Sequence, residues 1–384
     1  MVLFGGFRRY SGPALLLEAL VLLVFCAMPT VAQKLKDLPP PPPAPQLKPK
    51  PTPTPAPPSE REYEVVRITS NLVVVPVAVT DYKGEPVRGL KVNDFRIEEE
   101  GRQQEIAQLG DAEQIPLDIA ILLDVSSSVA ARFDFEQQAA TRFLRRVLKA
   151  SDSATVFAID SKPVLEQTST TAEIASAKLM TIKAATGPSP TAFYDTVAEA
   201  ARYLAKNTPE QHRRVIVTIS DGEDNFSDRI RDSAVAAYRA TASDDDKTPA
   251  ARARIRAAAE AALLEGHRKA QQDLRRELQS ANAVFYSINP SGESLRFNQI
   301  SMRGQNTMQQ FADTTGGAAF VPNNEADLEV VFTRIASELR AQYLLQYYSN
   351  NHAAPNSFLR IRVSLPNRPE LRLRAREGYY SKPK

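Results

Sequence analysis

Two carboxylates and three hydroxyls, carried on three separate loops, hold the most specific chemistry in this sequence. Asp124-Val-Ser126-Ser-Ser128 follows directly on an apolar run that starts at Leu117. Pro188-Ser-Pro-Thr191 precedes a helical pattern that starts at Ala192, and Ile219-Ser-Asp221-Gly-Glu-Asp-Asn225 ends another apolar run. Open α/β sheets bind ligands in such loops, outside the carboxyl ends of the strands, where the chain order reverses. Asp124, Ser126, Ser128, Thr191 and Asp221 are all hard oxygen donors. They suit Mg²⁺, which takes an octahedral oxygen shell and keeps waters readily, with Mn²⁺ or Ca²⁺ as alternatives. Two carboxylates offset the charge of the ion, whereas neutral hydroxyls donate little. The ion therefore stays electrophilic and keeps a position that a partner's carboxylate can fill. Asp160, Asp195, Glu223 and Asp224 stand close by in the pattern and read as caps, turn residues or supports behind the ligands.

Competing chemistry fits less well. A serine hydrolase using Ser126 or Ser128 needs a histidine, and the three histidines are badly placed. His212 starts a strand, His267 lies in a helical insertion and His352 in a C-terminal loop. There is no Gly-x-Ser-x-Gly elbow, phosphate loop or zinc-protease motif. The single cysteine, Cys26, excludes a disulfide scaffold and a cysteine zinc site. With 48 Lys+Arg against 45 Asp+Glu, the formal charge is only +3, which argues against a nucleic-acid partner.

The elements that position the five donors alternate. Continuous apolar strands are expected at 117–124, 154–160, 214–220, 283–288 and 317–321, with helices at 133–150 and 191–204, and Leu328 to Leu345 starts as a helix. Continuous runs mean strands covered on both faces, and alternation with helices means a doubly wound, mostly parallel sheet. The stretch from about 229 to 281 is too long for one crossover. It reads as a polar loop, Ser243-Asp-Asp-Asp-Lys247, and a solvated helix from about Pro249 to Ser280.

These residues resemble the von Willebrand factor type A family. Asp124, Ser126, Ser128, Thr191 and Asp221 match its metal-ion-dependent adhesion site position by position, and Phe193-Tyr-Asp-Thr196 and Ser220-Asp-Gly-Glu-Asp-Asn225 also look like the family. The resemblance implies a Rossmann-like domain over 115–340 that binds a protein partner's acidic residue through the metal. It also implies that the Asp124 to Ser128 residues contact the ion directly or through water, that Thr191 contacts it in the ligand-bound form, and that Asp221 acts through water. The preceding β segment and the Arg376-Glu-Gly-Tyr-Tyr380 ending look like an exported bacterial, notably acidobacterial, subgroup. Two departures stand out. Ser189-Pro190 replaces the glycines that usually precede the threonine, and the insertion after Asp228 is extended.

Both ends of the folded part read as strands. Residues 62–113 include Leu72-Val-Val-Val-Pro-Val-Ala-Val79, where Pro76 suggests an edge or a bulge. In 341–384, Leu359 to Leu365 and Leu371 to Ala375 alternate with period two, and Asn367-Arg-Pro-Glu370 between them predicts a hairpin. The two ends are expected to pair into one small β-sandwich-like domain. Arg360, Arg362, Arg372, Arg374 and Arg376 would then form a ladder on one face, with Glu98-Glu-Glu100 as acidic company. Such a face is a candidate for anionic wall polymer or lipid, although charge rows usually face water.

The N-terminus reads as an address. Arg8 and Arg9, an apolar stretch and Thr30-Val-Ala32 give a signal peptide over 1–32, with an uncleaved membrane tether as the alternative. Twelve of the 28 prolines fall between Pro39 and Pro58, so 33–61 is a stiff, extended linker. The expected protein is exported, periplasmic or secreted. It binds a partner for adhesion or assembly of the cell envelope, or serves as a structural envelope component whose metal only braces the loops.

Overall fold

A computed structural model describes residues 71–129, 132–187, 189–242, 248–292 and 299–381. All of them belong to one compact unit, Arg67–Lys384. The signal peptide and linker expected over 1–32 and 33–61, and the polar loop over 243–247, lie outside the described residues.

The chain opens with β1 (Leu72–Thr80), β2 (Arg96–Glu99), β3 (Arg102–Gln104) and β4 (Gln108–Asp111). An alternating section follows: β5 (Leu117–Asp124), α1 (Phe133–Val147), β6 (Ser153–Ile159), β7 (Pro163–Thr170), α2 (Ala172–Leu179), α3 (Phe193–Asn207) and β8 (Arg213–Ile219). It continues with α4 (Asp228–Ala242), α5 (Pro249–Ser280), β9 (Ala283–Ile288), α6 (Gln299–Thr315), β10 (Ala318–Phe320) and α7 (Glu325–Ala341). The last strands are β11 (Tyr343–Tyr348), β12 (Phe358–Ser364), β13 (Arg372–Ala375) and β14 (Gly378–Tyr380).

The central sheet runs β10-β9-β8-β5-β6-β7. All its pairs are parallel except β6–β7. Every residue of β5 is buried, as a strand covered on both faces must be. Leu117, Ile119, Ile121 and Leu123 pack under α1, α2 and α7, while Ala120 and Leu122 meet α3, α5 and α6 on the other face. From β5 the chain first steps sideways to β6 and then returns to β8 on the opposite side. The order thus reverses between β5 and β8, and the crevice at their carboxyl ends is where this architecture places ligands.

The ends of the chain build two four-stranded sheets, ordered β13-β1-β11-β4 and β14-β12-β2-β3. Val73, Val75, Val77, Val79, Phe95, Ile97, Leu345, Tyr347 and Ile361 fill the space between them. The expected sandwich of N- and C-terminal strands is therefore present. Pro76 lies in the half of β1 that β13, pairing only with Val77 to Thr80, does not reach. A charged residue sits inside this core. The Glu99 carboxylate, 2% exposed, accepts hydrogen bonds from Tyr347 Oη (2.6 Å), Ser349 Oγ (2.7 Å) and Tyr379 Oη (3.0 Å). These donors come from both sheets, and three hydroxyls are what a buried carboxylate needs in place of water.

Two expectations require correction. β12 and β13 do not form a hairpin. β12 pairs with β2 and β14, whereas β13 pairs with β1 in the other sheet. The arginine ladder on a single face is lost with it. Arg360 and Arg362 are exposed on β12, with Arg362 opposite Glu98. Arg372 is exposed on β13 in the other sheet. Arg374 reaches back to an ion pair with Glu338 of α7, a carboxylate that also accepts the Tyr286 hydroxyl at 2.6 Å. Arg376 donates to the Val74 carbonyl (2.9 Å) and to Asn282, lies over the Tyr379 ring, and is pushed down to about 10 by burial. The stretch that starts as a helix at Leu328 stays helical to Ala341. Gln342 turns to an extended ψ of 141°, and Tyr343 onward becomes β11, paired with β1 and β4.

The insertion after Asp228 is a two-helix extension. Thr248 accepts from Ala251 N as the N-cap of α5, with Pro249 in the first turn. The stripe Ala270, Leu274 and Leu278 is buried in the core beneath α3 and α6, so the C-terminal part of α5 is the crossover into β9.

Candidate metal centre

The first loop leaves β5 at Asp124, whose side chain is fully buried. Its Oδ1 accepts from Ser126 N at 2.9 Å, turning the chain back on itself as a local Asx turn. Its Oδ2 accepts from Ser220 Oγ at 2.6 Å. Ser126 Oγ and Ser128 Oγ are 2.9 Å apart, so the two hydroxyls converge. Ser126 is buried and Ser128 exposed. Ala185 N donates to the Val125 carbonyl at 2.7 Å, holding the loop from the side.

The second loop leaves β8 beside the first, since Leu123 and Ile219 are register partners. Asp221 is buried, and its Oδ1 accepts from Glu223 N at 3.0 Å. Gly222 adopts φ +74°, and a Cβ there would stand 2.9 Å from the Gly304 carbonyl and from Met308 Cε. Gly304 is as confined, since its own Cβ would stand 2.6 Å from the Asp221 carbonyl. Only a glycine pair lets α6 approach the loop this closely.

The third loop carries Thr191. Its N–H donates to Asn225 Oδ1 at 2.8 Å, and its carbonyl accepts from Asn225 N and Phe226 N, both at 3.1 Å. The Thr191 and Asp221 loops are thus tied by three hydrogen bonds. Ala192 N donates to the Asp160 carbonyl at 2.8 Å, which fastens the same loop to the end of β6.

The four supporting acids have separate tasks. Asp224, buried, accepts from Tyr194 N (2.7 Å), Ser227 N (3.1 Å) and Ser227 Oγ (2.5 Å), serving the first turn of α3. Asp195 accepts from Asp228 N at 2.6 Å and pairs with Arg229 at 3.2 Å, at the root of the insertion. Glu223 accepts from Ser301 Oγ of α6. The Asp160 side chain accepts from the adjacent Ser161 N at 2.5 Å.

Two carboxylates side by side without a cation carry an electrostatic cost. Burial first, and then the charge of Asp221, pushes Asp124 up to about 6. Among the described residues, no ion pair engages either carboxylate. No cluster of three or more His, Cys, Asp and Glu stands there either. A cation at this place would therefore depend on hydroxyls as well as on Asp124 and Asp221. That mixed donor set fits a hard divalent ion and not a zinc centre built on histidine or thiolate.

Sequence reasoning missed Ser220, Asn225 and Glu136. Ser220 was legible only as a strand-end serine, and Asn225 as part of a turn. Glu136 of α1 is fully buried, and neither of its oxygens has a hydrogen-bond partner among the described residues. Burial, and then the charge of Asp124, pushes it up to about 8. Its signal was present, because Glu136 shares an α1 stripe with the buried Phe133, Ala140 and Phe143.

The histidines stand elsewhere. His212 Nδ1 lies 2.7 Å from Asp118 Oδ2, at the start of β8 and so at the opposite end of the sheet. His267 is buried with its Nδ1 3.1 Å from Tyr194 Oη, and burial pushes it down to about 4.

Residues 119–223 match the family described as von Willebrand factor type A domain. No curated protein matches the chain. Solved structures with a similar fold include proximal thread matrix protein 1 from the mussel byssus with a zinc-occupied MIDAS motif. It has 13% identity and a TM-score of 0.40, with 64% of this chain and 50% of that one covered. A von Willebrand factor type A protein from Catenulispora acidiphila also has 13% identity and a TM-score of 0.40, over 71% and 51% of the two chains. The vWF domain of the type V pili tip protein from Porphyromonas gingivalis has 13% identity and a TM-score of 0.38, over 58% and 94%. The chain spans about half the length of the mussel protein. With the Asp124 loop, the Thr191 loop, the strands β6 and β8 and the start of the Asp221 loop inside the matched segment, this chain contains a von Willebrand factor type A domain.

Proposed function

We propose that the protein is an exported binding module that captures an acidic residue of a protein partner through a divalent cation, for adhesion or envelope assembly. Asp124 and Asp221 would supply the charge, and Ser126, Ser128 and Thr191 the neutral oxygens. Mg²⁺ is the expected ion, with Mn²⁺ and Ca²⁺ as alternatives. The observation that carries this reading is the Asp124 carboxylate, raised by burial and then by its neighbour Asp221, and without an ion pair among the described residues. A cation relieves that repulsion, and weak hydroxyl donors leave it able to accept one more anionic ligand. Export rests on the address read in 1–32. Among the described residues, no helix is long and apolar enough to cross a membrane.

The test is a calorimetric titration of Mg²⁺, Mn²⁺ and Ca²⁺ into the metal-stripped protein, beside Asp124→Ala. Saturable binding that the variant loses is expected. Absence of binding to the native chain overturns the reading. Binding without any cation-dependent capture of an acidic probe would leave the metal as a brace between the loops, and the protein as a structural component.

A further inference from the structure

Two large apolar side chains stand half exposed beside the candidate metal loops. Phe226 is 50% exposed and Ile300 is 50% exposed. Scattered apolar residues on a surface need no explanation. These two flank one loop. Phe226 follows Asn225 directly, and its own N–H donates to the carbonyl of Thr191. It is therefore anchored by its backbone at the Thr191 edge while half of its surface remains exposed.

Ile300 stands on the other flank. It precedes Ser301, whose hydroxyl donates to Glu223, and it lies four residues before Gly304, the residue pressed against Asp221 and Gly222. Residues four apart share a face of a helix. Ile300 therefore extends the face of α6 that meets the Asp221 loop by one turn, beyond the contact and toward solvent. The polar side chains between these flanks are already engaged. Asn225 holds Thr191, Asp224 holds Tyr194 and Ser227, and Glu223 holds Ser301.

Resting on the function proposed above, we infer that the partner presents its carboxylate on an extended segment in which a bulky apolar side chain adjoins the acidic one, received by Phe226 and Ile300. The charge argument fixes the acid. Asp124 and Asp221 repel each other and neither is in an ion pair among the described residues, so an anion docks on them only against a bound cation. The apolar flanks fix its neighbour. Exposed aromatic rings on a backbone-anchored loop lose little freedom on binding and bury much area, which is the property of interface anchors. A segment with polar residues beside its acid would leave both side chains in water.

The experiment uses the full chain saturated with Mg²⁺ and three fluorescent hexapeptides, read by anisotropy. One has a glutamate between leucines, the second a glutamate between serines, and the third a glutamine between leucines. The leucine-flanked glutamate is expected to bind at least roughly tenfold tighter than the serine-flanked one, the scale of a single anchor. Phe226→Ser should bring the first peptide to the level of the second while leaving the calorimetric Mg²⁺ titration unchanged. Equal binding of the two glutamate peptides, no effect of Phe226→Ser, or no peptide binding at millimolar concentration overturns the inference and leaves the metal reading to its own test. Equal binding of the glutamine peptide, or binding that survives chelation, overturns the metal reading itself.

Discussion

Ser220 Oγ lies 2.6 Å from Asp124 Oδ2, joining the ends of β8 and β5 through a single hydroxyl. The same oxygen accepts from Gly222 N at 3.0 Å, so it fixes both the carboxylate and the glycine beside Asp221. Outer partners of this kind orient a ligand without touching the ion. Ser220→Ala is expected to weaken Mg²⁺ binding by about 10–100-fold. It should also cost about 1–3 kcal/mol of stability, because Asp124 Oδ2 is left buried without its donor. Calorimetry and urea unfolding of the same variant check the two effects separately.

Cation binding should depend on pH below neutrality. Asp124 titrates at about 6 in the metal-free fold, above its ordinary 3.8. The folded state then holds the proton more tightly than the unfolded chain does. Its contribution to metal-free stability is present below pH 3.8 and is lost as pH rises through about 6. The cation needs the ionised form, so its affinity has the opposite slope and falls as pH drops below about 6. Mg²⁺ titrations on either side of that pH should show it, and Asp124→Asn should lose both the affinity and the slope.

Glu136 offers a test that leaves every proposed ligand in place. Its carboxyl is raised from 4.5 to about 8, and both its oxygens lack hydrogen-bond partners among the described residues. Keeping it neutral favours the fold at low pH, and that advantage disappears between pH 4.5 and about 8. Glu136→Gln removes the ionisation. The metal-free variant should match the native protein below pH 4.5 and be more stable at pH 8, by up to about 1.4 kcal/mol for each pH unit of the window. Urea midpoints at the two pH values measure this.

The ion pair between Arg374 and Glu338 fastens the sandwich to α7, and the Glu338 side chain is 1% exposed. Arg374→Leu leaves a buried carboxylate with the Tyr286 hydroxyl as its remaining hydrogen-bond donor among the described residues. The expected cost is about 3–5 kcal/mol. The double variant Arg374→Leu with Glu338→Leu should recover most of that loss, because an apolar pair replaces an ion pair at little net cost. Denaturant unfolding of the native protein and the two variants measures the loss and the recovery.

The parallel core was legible because burial on both faces leaves an unbroken apolar run. β5 occupies Leu117–Asp124, where the residues place it. α5 was legible from Pro249, where a capping threonine and a first-turn proline coincide. The edge strand β7 and the short α2 escaped. Pro-Val-Leu-Glu-Gln-Thr-Ser-Thr has neither alternation nor an apolar run, and pairing with β6 alone makes it a strand. The hairpin failed for a different reason. Period two in β12 and β13 reports which side chains face inward, and carries no information on which strand lies alongside. The loops bearing Asp124, Thr191 and Asp221 could be read in chain order, but Ser220 and Glu136 could not be assigned. Their roles come from strands and a helix meeting in three dimensions, whereas the spacing on α1 shows only that Glu136 faces inward.

The pairing of β1 and β4 with β11 has a consequence for how the chain is made. More than two hundred residues separate Asp111 from Tyr343. At about 5–20 residues per second, roughly 10–50 s of synthesis pass before β11 can reach its neighbours. Through that interval the valine-rich strand Leu72–Thr80 has no partner on the β11 side. Nascent chains in this state invite pairing with one another. The sandwich can close only once the last strands have emerged, after the whole alternating section has been made.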